Sequence, residues 1–328
     1  MPPGELRGAR VLVTGGTGMI GREVVARLAA LGARVRSVSL DDVRLRDDVE
    51  YVRADLTDPA ACRDVARGMD AVCHLAGIKG SVEVTATRPA SFLVPLLLMN
   101  TNLLEAARAA GVRRLVYASS IGAYPSREVL CEAEAWDGPP MDVFPGWAKR
   151  MGELQLDAYA REYGTHGFGA VRLANVYGPG DNFDPASAMV VPALIARVAA
   201  GEDPLVVWGD GSAVRDFAYS ADVAEGIVLA LVRGTGGGVL NLGSGTGTSI
   251  RELVETLASV VPFRFRFDAT KPAGFPRRVM DVAAARARLG WVARTPLRDG
   301  LAATWAWYCA HRDASARRHD YFRAGARA

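Results

Sequence analysis

The stretch RVLVTGGTGMIGREVVARLAALG near the start of the chain constrains the fold more strongly than any other feature of the sequence. A β-branched run passes into closely spaced glycines and then into apolar residues at helical spacing, which predicts a strand, a tight turn and a helix. Glycines in such a turn let the backbone approach a pyrophosphate, and the helix N-terminus then faces the phosphates. We therefore predict a dinucleotide site at this turn. Its cofactor contacts are expected from Gly15, Thr17, Gly18, Met19 and Ile20.

The strand predicted over Arg34–Ser39 ends where a dinucleotide places its adenosine ribose, and an acidic residue is usual at that point. This chain has Ser39 there. Asp41 follows and would repel a 2′-phosphate, whereas Arg44 and Arg46 would attract one. We expect NAD, with NADP as the alternative. Further cofactor contacts are expected after the third and fourth strands, at Asp55, Leu56, Leu75 and Ala76.

Strand and helix patterns alternate along the chain, which predicts an α/β fold. We expect a Rossmann-type doubly wound parallel sheet with a smaller C-terminal α/β lobe that binds the substrate. Asp58 and Pro59 are typical of a helix N-cap and first turn, and Ser249 with Glu252 of a capping box. The segments SADVAEGIVLALV and VLNLGSG read as a return to the first domain. The expected division is 1–175 with 216–248 for the dinucleotide domain, and 176–215 with 249–328 for the substrate lobe.

Composition excludes several classes of protein. The chain has 328 residues, half of them apolar, and 39 basic side chains nearly balance 36 acidic ones. Without a basic block, no nucleic-acid partner is expected. The four cysteines lack disulfide or metal-ligand spacing, so we expect no metal and a reducing cytoplasm. The apolar run FLVPLLLM is too short to span a bilayer, and the N-terminus lacks the apolar core of a secretory signal, so no membrane partner is expected.

Several motifs occur in a fixed order: TGGTGMIG, ADLTD, HLAG, ASSIGAYP, Lys149 and NVYGP. With them the chain resembles the extended short-chain dehydrogenases/reductases, the NAD-dependent epimerase/dehydratase family that acts on nucleotide sugars. The second half is most similar to the GDP-L-fucose synthase branch, through NVYGPGDNFDP, PLVVWGDGSAVRDF and KPAGFPRRVMDV. The resemblance runs nearly end to end. It implies an NAD(P)-dependent epimerase or oxidoreductase acting on a GDP-linked sugar.

The resemblance also implies a catalytic Ser or Thr, a Tyr and a Lys, in which the tyrosine transfers a proton at the sugar oxygen and the lysine lowers its pKa. Ser120 and Lys149 match, and the lysine would also hold the nicotinamide ribose. Pro145 stands at the tyrosine position, and proline has no titratable group. Ile121 and Gly122 stand where fucose synthases carry a cysteine and dehydratases an Asp and a Glu. The signatures of epimerisation, reduction and dehydration are therefore all incomplete.

Other side chains are candidates for the missing proton transfer. Asp184 stands where the fucose synthase pattern has a histidine, and we predict that it is the replacement acid or base. Tyr124, Tyr177 and His74 are better explained as structural residues. A last group of candidates precedes the helix that is expected to carry Lys149, which we call the lysine helix: Cys131, Glu132 and Glu134. The alternative interpretation of these three residues is a solvated loop.

The sugar side of the site is predicted from the second half of the chain. Arg215 follows a glycine turn and suits a diphosphate, because its planar guanidinium can bond two oxygens. Arg278 would add a second contact. Asn175 follows the sixth strand and would meet the sugar phosphate. Lys79 either contacts a sugar oxygen or forms a surface salt bridge.

Pro145 leaves two functions open. The retention of Ser120, Lys149, Asn175 and Arg215 favours an enzyme that acts on a nucleotide sugar. The alternative is a non-catalytic sensor or subunit that binds the dinucleotide and the nucleotide sugar. The resemblance further implies a homodimer, formed through two long helices expected around 93–110 and 146–163.

Overall fold

The central sheet has seven strands, and every pairing in it is parallel. We describe it from a computed structural model, in which residues 6–78, 82–184 and 187–312 are described. The strands are β1 (Arg10–Thr14), β2 (Arg34–Ser39), β3 (Glu50–Arg53), β4 (Ala71–His74), β5 (Arg114–Ser120), β7 (Phe168–Leu173) and β11 (Val239–Leu242). Their spatial order is β11-β7-β5-β4-β1-β2-β3. The order reverses beside β1, as in doubly wound dinucleotide-binding sheets.

Helices cover both faces of this sheet. They are α1 (Met19–Ala30), α2 (Pro59–Ala66), α3 (Val82–Thr87), α4 (Pro89–Ala109), α5 (Val143–Tyr163), α7 (Ser220–Arg233) and α9 (Ala283–Leu289). Side chains along a strand point alternately to its two faces. Val11 and Val13 of β1 accordingly join one buried cluster with α1 and α7, while Leu12 joins a second cluster with α2, α4 and α5. The sheet therefore lies between two cores, and the predicted Rossmann-type α/β fold is confirmed.

A smaller part of the structure carries the remaining strands and a third core. Four strands follow the order β12 (Gly247–Ser249), β10 (Val214–Tyr219), β14 (Arg277–Met280) and β6 (Val129–Leu130), and β8 (Asn175–Tyr177) also pairs with β10. A separate parallel pair joins β9 (Leu205–Trp208) to β13 (Phe265–Asp268). The third core packs β8, β9, β10 and β13 against α6 (Val190–Ala199), α8 (Ile250–Val260) and α10 (Leu297–Ala310).

The helix N-caps predicted from the sequence are found in the structure. The Asp58 carboxylate accepts a hydrogen bond from the Ala60 amide at 2.8 Å and Pro59 begins α2. Ser249 and Glu252 form the predicted reciprocal capping box at α8. These features depend on side chains close in sequence, which is why the sequence alone predicts them.

Helix α4 is longer than its apolar run suggested. By length and composition alone its 21 residues could cross a membrane. However, 44% of the apolar window is buried within the protein, and the helix packs against α2 and α5. We interpret α4 as a core helix of the α/β fold.

The Asp216 carboxylate ties the two parts of the structure together. It is fully buried on β10 and accepts hydrogen bonds from the Ser244 amide at 2.7 Å and the Ser244 hydroxyl at 2.6 Å. The amides of Gly245 and Met280 also donate to it, at 3.1 and 3.3 Å. Burial raises its pKa, while these bonds favour the charged form. One carboxylate thus joins β10 to the segment after β11 and to β14.

Candidate active site

A cavity of about 750 Å³ opens at the carboxyl ends of the parallel strands. This is where ligands bind in open doubly wound sheets. Every residue predicted to contact the cofactor lies in its wall: Gly15, Thr17, Gly18, Met19, Ile20, Ser39, Asp41, Asp55, Leu56, Leu75, Ala76 and Lys149. Ser120, Pro145 and Asp184 line the same cavity.

The glycine turn forms the floor of the cavity. Gly15 has φ of 69°, and a Cβ on Gly21 would lie 2.0 Å from the Gly15 carbonyl oxygen, so α1 can pack here only against glycine. Helix α1 begins directly after Gly18, and this N-cap residue has no side chain that could bond the first amides of the helix. The first amides of a helix have no partner within the helix and can bind an anion. The turn therefore fits a pyrophosphate.

The far end of the cavity presents acceptors suited to a ribose. The Thr17 hydroxyl donates to Asp41 Oδ2 at 2.9 Å and lies 2.9 Å from Ser39 Oγ. Asp41 is thus held close to Ser39, at the end of β2 where the sequence predicts the adenosine ribose. Together with the amides of the turn and the Lys149 ammonium group, this donor and acceptor set fits a dinucleotide.

Lys149 and Ser120 mark the opposite end. The Lys149 Nζ donates to the Ala118 carbonyl oxygen at 2.7 Å and lies 4.9 Å from the centre of the Tyr117 ring. Burial lowers the pKa of Lys149 to about 8. The Ser120 Oγ accepts a hydrogen bond from the Gly122 amide at 3.1 Å. Pro145 lies in the first turn of α5, one turn before Lys149, so the cavity wall has an inert ring where a phenol is expected.

His74 belongs to a buried structural network. Its Nδ1 lies 2.8 Å from the Thr14 hydroxyl, and its Nε2 lies 3.1 Å from Asn100 Oδ1. The Asn100 amide in turn donates to the Tyr117 hydroxyl at 2.9 Å. Burial, with the nearby charge of Lys149, lowers the pKa of His74 to about 3. A neutral imidazole with both nitrogens engaged supports the structural interpretation.

The tyrosines considered as replacements are also engaged in the core. The Tyr124 hydroxyl donates to Asn241 Oδ1 at 2.7 Å and accepts from Arg172 at 3.0 Å, and burial raises its pKa to about 12. Tyr177 is buried against Phe217, and burial raises its pKa too. Neither lines the cavity.

The group before the lysine helix lies away from the cavity as well. The Glu132 carboxylate accepts from the Asn241 amide at 2.9 Å, and Glu134 lies 4.0 Å from Arg127. Burial and neighbouring carboxylates raise the pKa of Cys131, which disfavours a thiolate. The structure therefore favours Asp184 over this group, because Asp184 does line the cavity.

The predicted diphosphate residues form a separate pair that is not part of the cavity wall. Arg215 on β10 and Arg278 on β14 are direct partners in the parallel register of the two strands. Arg215 donates to the Phe275 carbonyl oxygen at 2.6 Å, and the Arg278 guanidinium lies 4.0 Å from the Phe275 ring centre. Burial lowers the pKa of both, that of Arg278 to about 10. Two half-buried guanidinium groups side by side are suited to an anion.

Asn175 and Lys79 are the remaining residues predicted to bind the substrate. The Asn175 amide donates to the Asp216 carbonyl oxygen at 3.0 Å, so part of its bonding capacity is used within the protein. Lys79 lies outside the described residues.

Within the described ranges, no cluster of His, Cys, Asp and Glu side chains is arranged to hold a metal ion.

Several lining residues were not predicted from the sequence. They come from the segment after β8 and from the end of α10: Asp181, Asn182, Phe183, Ser187, Tyr308 and Arg312. Phe183 and Tyr308 stack with ring centres 4.4 Å apart. No local motif marks α10 as a cavity wall, because its position depends on packing in the third core.

Fold and site together define a dinucleotide-binding protein of the extended short-chain dehydrogenase/reductase class. The match to a specific family is direct: residues 11–243 match the NAD dependent epimerase/dehydratase family. The chain belongs to this family, whose members act on nucleotide sugars.

Individual relatives agree with this assignment. The chain is 33% identical to a probable GDP-L-fucose synthase 1 of Oryza sativa subsp. japonica, over 92% of each protein. It is 31% identical to the GDP-L-fucose synthase of Escherichia coli strain K12, over 93% of this chain and 98% of that protein. Among solved structures, a dTDP-glucose 4,6-dehydratase from Streptomyces venezuelae with NAD bound is 27% identical. It superposes with a TM-score of 0.80 over 93% of this chain and 98% of that one.

Proposed function

We propose that this protein binds NAD and catalyses epimerisation or oxidation–reduction of a GDP-linked sugar. The observation that carries the proposal is the common cavity wall formed by the glycine turn, Ser120, Lys149 and Asp184. The GDP moiety is inferred from the similarity to the GDP-L-fucose synthases. When bound, a nicotinamide dinucleotide supplies the hydride acceptor or donor for such a reaction.

The preference for NAD over NADP follows from charge at the ribose end. A 2′-phosphate would meet the carboxylate of Asp41, which already holds the Thr17 hydroxyl. Arg46, one of the two arginines that could offset that repulsion, donates two hydrogen bonds of 2.8 Å to Asp48. The surroundings therefore support the unphosphorylated ribose.

The chain's own residues divide the chemistry. Lys149 would hold the nicotinamide ribose and supply a positive charge there. Ser120 donates a hydrogen bond to the sugar oxygen. Asp184 exchanges the proton that Pro145 cannot carry. Arg215 and Arg278 hold the diphosphate, and Asn175 lies at the end of the strand that leads to them.

The test is direct turnover with purified protein. GDP-, UDP- and dTDP-linked sugars are each incubated with NAD, NADP or their reduced forms, and absorbance of the reduced nicotinamide and the sugar products are followed. Asp184→Asn is expected to lower kcat by about 100-fold or more, the usual effect of losing a positioned acid or base. Tyr124→Phe is the matched control and should change kcat little. Equal, small effects would remove Asp184 from the mechanism.

Pro145 is the specific observation that favours a second candidate, a non-catalytic sensor or subunit. Such a protein would bind NAD and a nucleotide sugar by calorimetry, yet show no hydride transfer and no proton exchange with any sugar tested. The presence of Ser120 and Lys149 in one cavity wall supports the enzyme, because a sensor has no need for the two side chains together.

We further propose that the enzyme is a cytoplasmic homodimer. The cysteines all carry free thiols, which agrees with a reducing compartment. Helices α4 and α5 pack together and expose apolar side chains, which suits the expected helical interface. The proposed division of the chain is 1–175 with 216–248 for the cofactor and 176–215 with 249–328 for the nucleotide sugar.

A further inference from the structure

Arg312, which follows α10, lines the same cavity as the glycine turn. Of the described residues in the cavity wall, only Arg312 and Lys149 carry a positive charge. Four others carry carboxylates: Asp41, Asp55, Asp181 and Asp184. These carboxylates repel a pyrophosphate, so a cation beside the phosphates would stabilise the bound ligand. Lys149 lies at the end of the cavity that Ser120 marks, which leaves Arg312 as the candidate cation for the phosphates.

The Arg312 guanidinium is exposed, and the protein does not neutralise its charge. Its Nη2 donates a hydrogen bond of 2.8 Å to the Ala199 carbonyl oxygen at the end of α6, and the group lies 5.6 Å from the centre of the Tyr308 ring. Within residues 6–78, 82–184 and 187–312, no carboxylate lies at ion-pair distance from it. A guanidinium has five N–H donors in a planar fork, so the bond to Ala199 leaves donors for a second acceptor.

Contacts between α1 and α10 locate this arginine beside the glycine turn. The Arg22 guanidinium of α1 lies over the Trp307 ring of α10, 5.1 Å from the ring centre. Arg22 Nη2 also donates to the Thr17 carbonyl oxygen at 3.5 Å, and Thr17 belongs to the turn that fits a pyrophosphate. The end of α10 is therefore held against the first turn of α1, which faces the phosphates of a bound dinucleotide.

Stacked rings hold the end of α10 in place. Phe183 is buried, and its ring lies 4.4 Å from that of Tyr308 with 25° between the two planes. Trp307 stacks on His311 with 4.6 Å between the ring centres. Arg312 follows these residues directly and packs on Tyr308. A donor that is already held by packing loses less conformational entropy when it binds a ligand.

Resting on the proposed binding of NAD, we propose that Arg312 binds the pyrophosphate of the dinucleotide. The glycine turn supplies backbone amides, and Arg312 supplies a full positive charge and charge-assisted hydrogen bonds. The diphosphate of the nucleotide sugar has the same chemistry. We assign it to Arg215 and Arg278, which are outside the cavity wall. The cofactor site thus includes a residue next to α10, a helix of the third core.

The test is the affinity of the purified protein for ligands that differ in their phosphates. NAD and ADP carry the diphosphate, whereas adenosine has the same base and ribose without it. Arg312→Gln should raise the Kd of NAD and of ADP by about 10-fold, the effect of losing one charge-assisted hydrogen bond. The Kd values of adenosine and GDP should not change. Calorimetry gives these values, with adenosine measured by competition against NAD.

Two matched variants control for charge and for side-chain shape. Arg298→Gln removes an exposed arginine from the first turn of the same helix and should change none of the four Kd values. Arg312→Lys keeps the charge without the planar fork and should recover part of the lost NAD affinity. Tyr308→Ala removes the ring on which Arg312 packs and should weaken NAD and ADP binding, whereas Tyr308→Phe keeps the ring and should not.

Ionic strength provides a second measurement. Salt screens contacts between exposed charges, so raising NaCl from about 0.05 to 0.5 M should weaken NAD binding by the unmodified protein more than by Arg312→Gln. A residue that only supports the fold would leave this salt dependence unchanged, and equal salt dependence in the two proteins overturns the inference.

The outcomes separate this inference from the proposed function. An unchanged Kd of NAD in Arg312→Gln overturns the role of Arg312 and leaves the enzyme. An equal loss of adenosine affinity also overturns it, because Arg312 would then act only through its bond to Ala199. A loss of GDP affinity alone assigns Arg312 to the nucleotide sugar and overturns the inference as well. An unmodified protein that binds neither NAD nor NADP overturns both the inference and the proposed function.

Discussion

Pro145 occupies a position where α5 does not need the residue's amide hydrogen. The first amides of a helix have no partner within it, and the first bond of α5 runs from the Gly146 amide to the Asp142 carbonyl oxygen at 2.6 Å. Proline is therefore tolerated in this turn. Proline at this position is therefore compatible with a helix that holds Lys149 in the cavity.

Because α5 does not depend on proline at position 145, a tyrosine can be placed there by mutation. In the Asp184→Asn variant, Pro145→Tyr should return an acid or base to the cavity wall and raise kcat for hydride transfer by about 100-fold or more. Pro145→Phe supplies the ring without the hydroxyl and should give no such gain. Steady-state kinetics of the tyrosine and phenylalanine variants are compared. Equal kcat values would show that a phenol at position 145 does not take part in proton transfer.

The titration of Lys149 provides a prediction about pH. Burial lowers its pKa to about 8, so the ammonium group is lost as the pH rises through that value. NAD affinity measured by calorimetry should therefore fall between about pH 7 and 9. Lys149→Met should bind NAD weakly with no such fall. An affinity that stays constant over this range in the unmodified protein would contradict the assignment of Lys149 to the cofactor.

Folding stability should show the opposite trend from the same group. The unfolded chain binds the Lys149 proton up to its ordinary pKa of 10.5, whereas the folded protein releases it near 8. Stability rises with pH wherever the unfolded state holds more protons. The Lys149 contribution to the free energy of unfolding, obtained by comparison with Lys149→Met, should therefore increase between about pH 8 and 10.

At the scale of single elements, α5 is held unusually close to β5. A Cβ on Gly152 would lie 2.7 Å from Cε1 of Tyr117, the ring that also supports Lys149 and Asn100. The glycine therefore sets the distance between the lysine helix and the sheet. Any larger residue must displace the ring or the helix.

Gly152→Ala should accordingly lower the free energy of unfolding by about 1–3 kcal/mol, the usual cost of overpacking a core. Gly238→Ala is the control, because no atom lies within 4 Å of its added Cβ. Urea denaturation of both variants gives the comparison. If Gly152→Ala is as stable as the control, the close approach of α5 to β5 is not a constraint.

The cofactor end of the site could be predicted from the sequence because each part of it is local. The glycine turn, Ser39 and Asp55 follow strands directly, and strand ends meet at one edge of a parallel sheet. The contact of Asp142 with Gly122, the pairing of Arg215 with Arg278 and the position of Tyr308 could not be predicted in this way. Each depends on how elements distant in sequence pack together, and no local pattern records that packing.

At the scale of the whole molecule, α4 and α5 expose neighbouring apolar side chains. Val94, Leu98 and Leu154 are 50%, 44% and 48% exposed on these two packed helices. Such a surface on a folded protein is typical of an interface between subunits. A symmetric dimer would bury it by placing the same helix pair of two copies face to face.

The unmodified protein should sediment as a dimer in analytical ultracentrifugation, and the double variant Leu98→Glu, Leu154→Glu should be monomeric. Leu31→Glu changes a similarly exposed leucine, 39% exposed at the end of α1, and should leave the dimer intact. A dimer that survives the double variant would place the interface elsewhere.

The path of the chain between its sheets restricts how such a protein can acquire new substrates. The chain first enters the smaller sheet at β6, returns to the large sheet at β7, and enters the smaller sheet again at β8 and β10. It then returns to the large sheet through α7 and β11 and leaves it again at β12. A single genetic crossover between two relatives therefore cannot exchange the smaller sheet without also exchanging strands β7 and β11 of the large sheet. Exchange of the smaller sheet alone requires several simultaneous crossovers, because its strands come from three separate stretches of the chain. We expect lineages with this topology to diversify by individual substitutions in the cavity wall, and chimeras joined at one point to fold poorly.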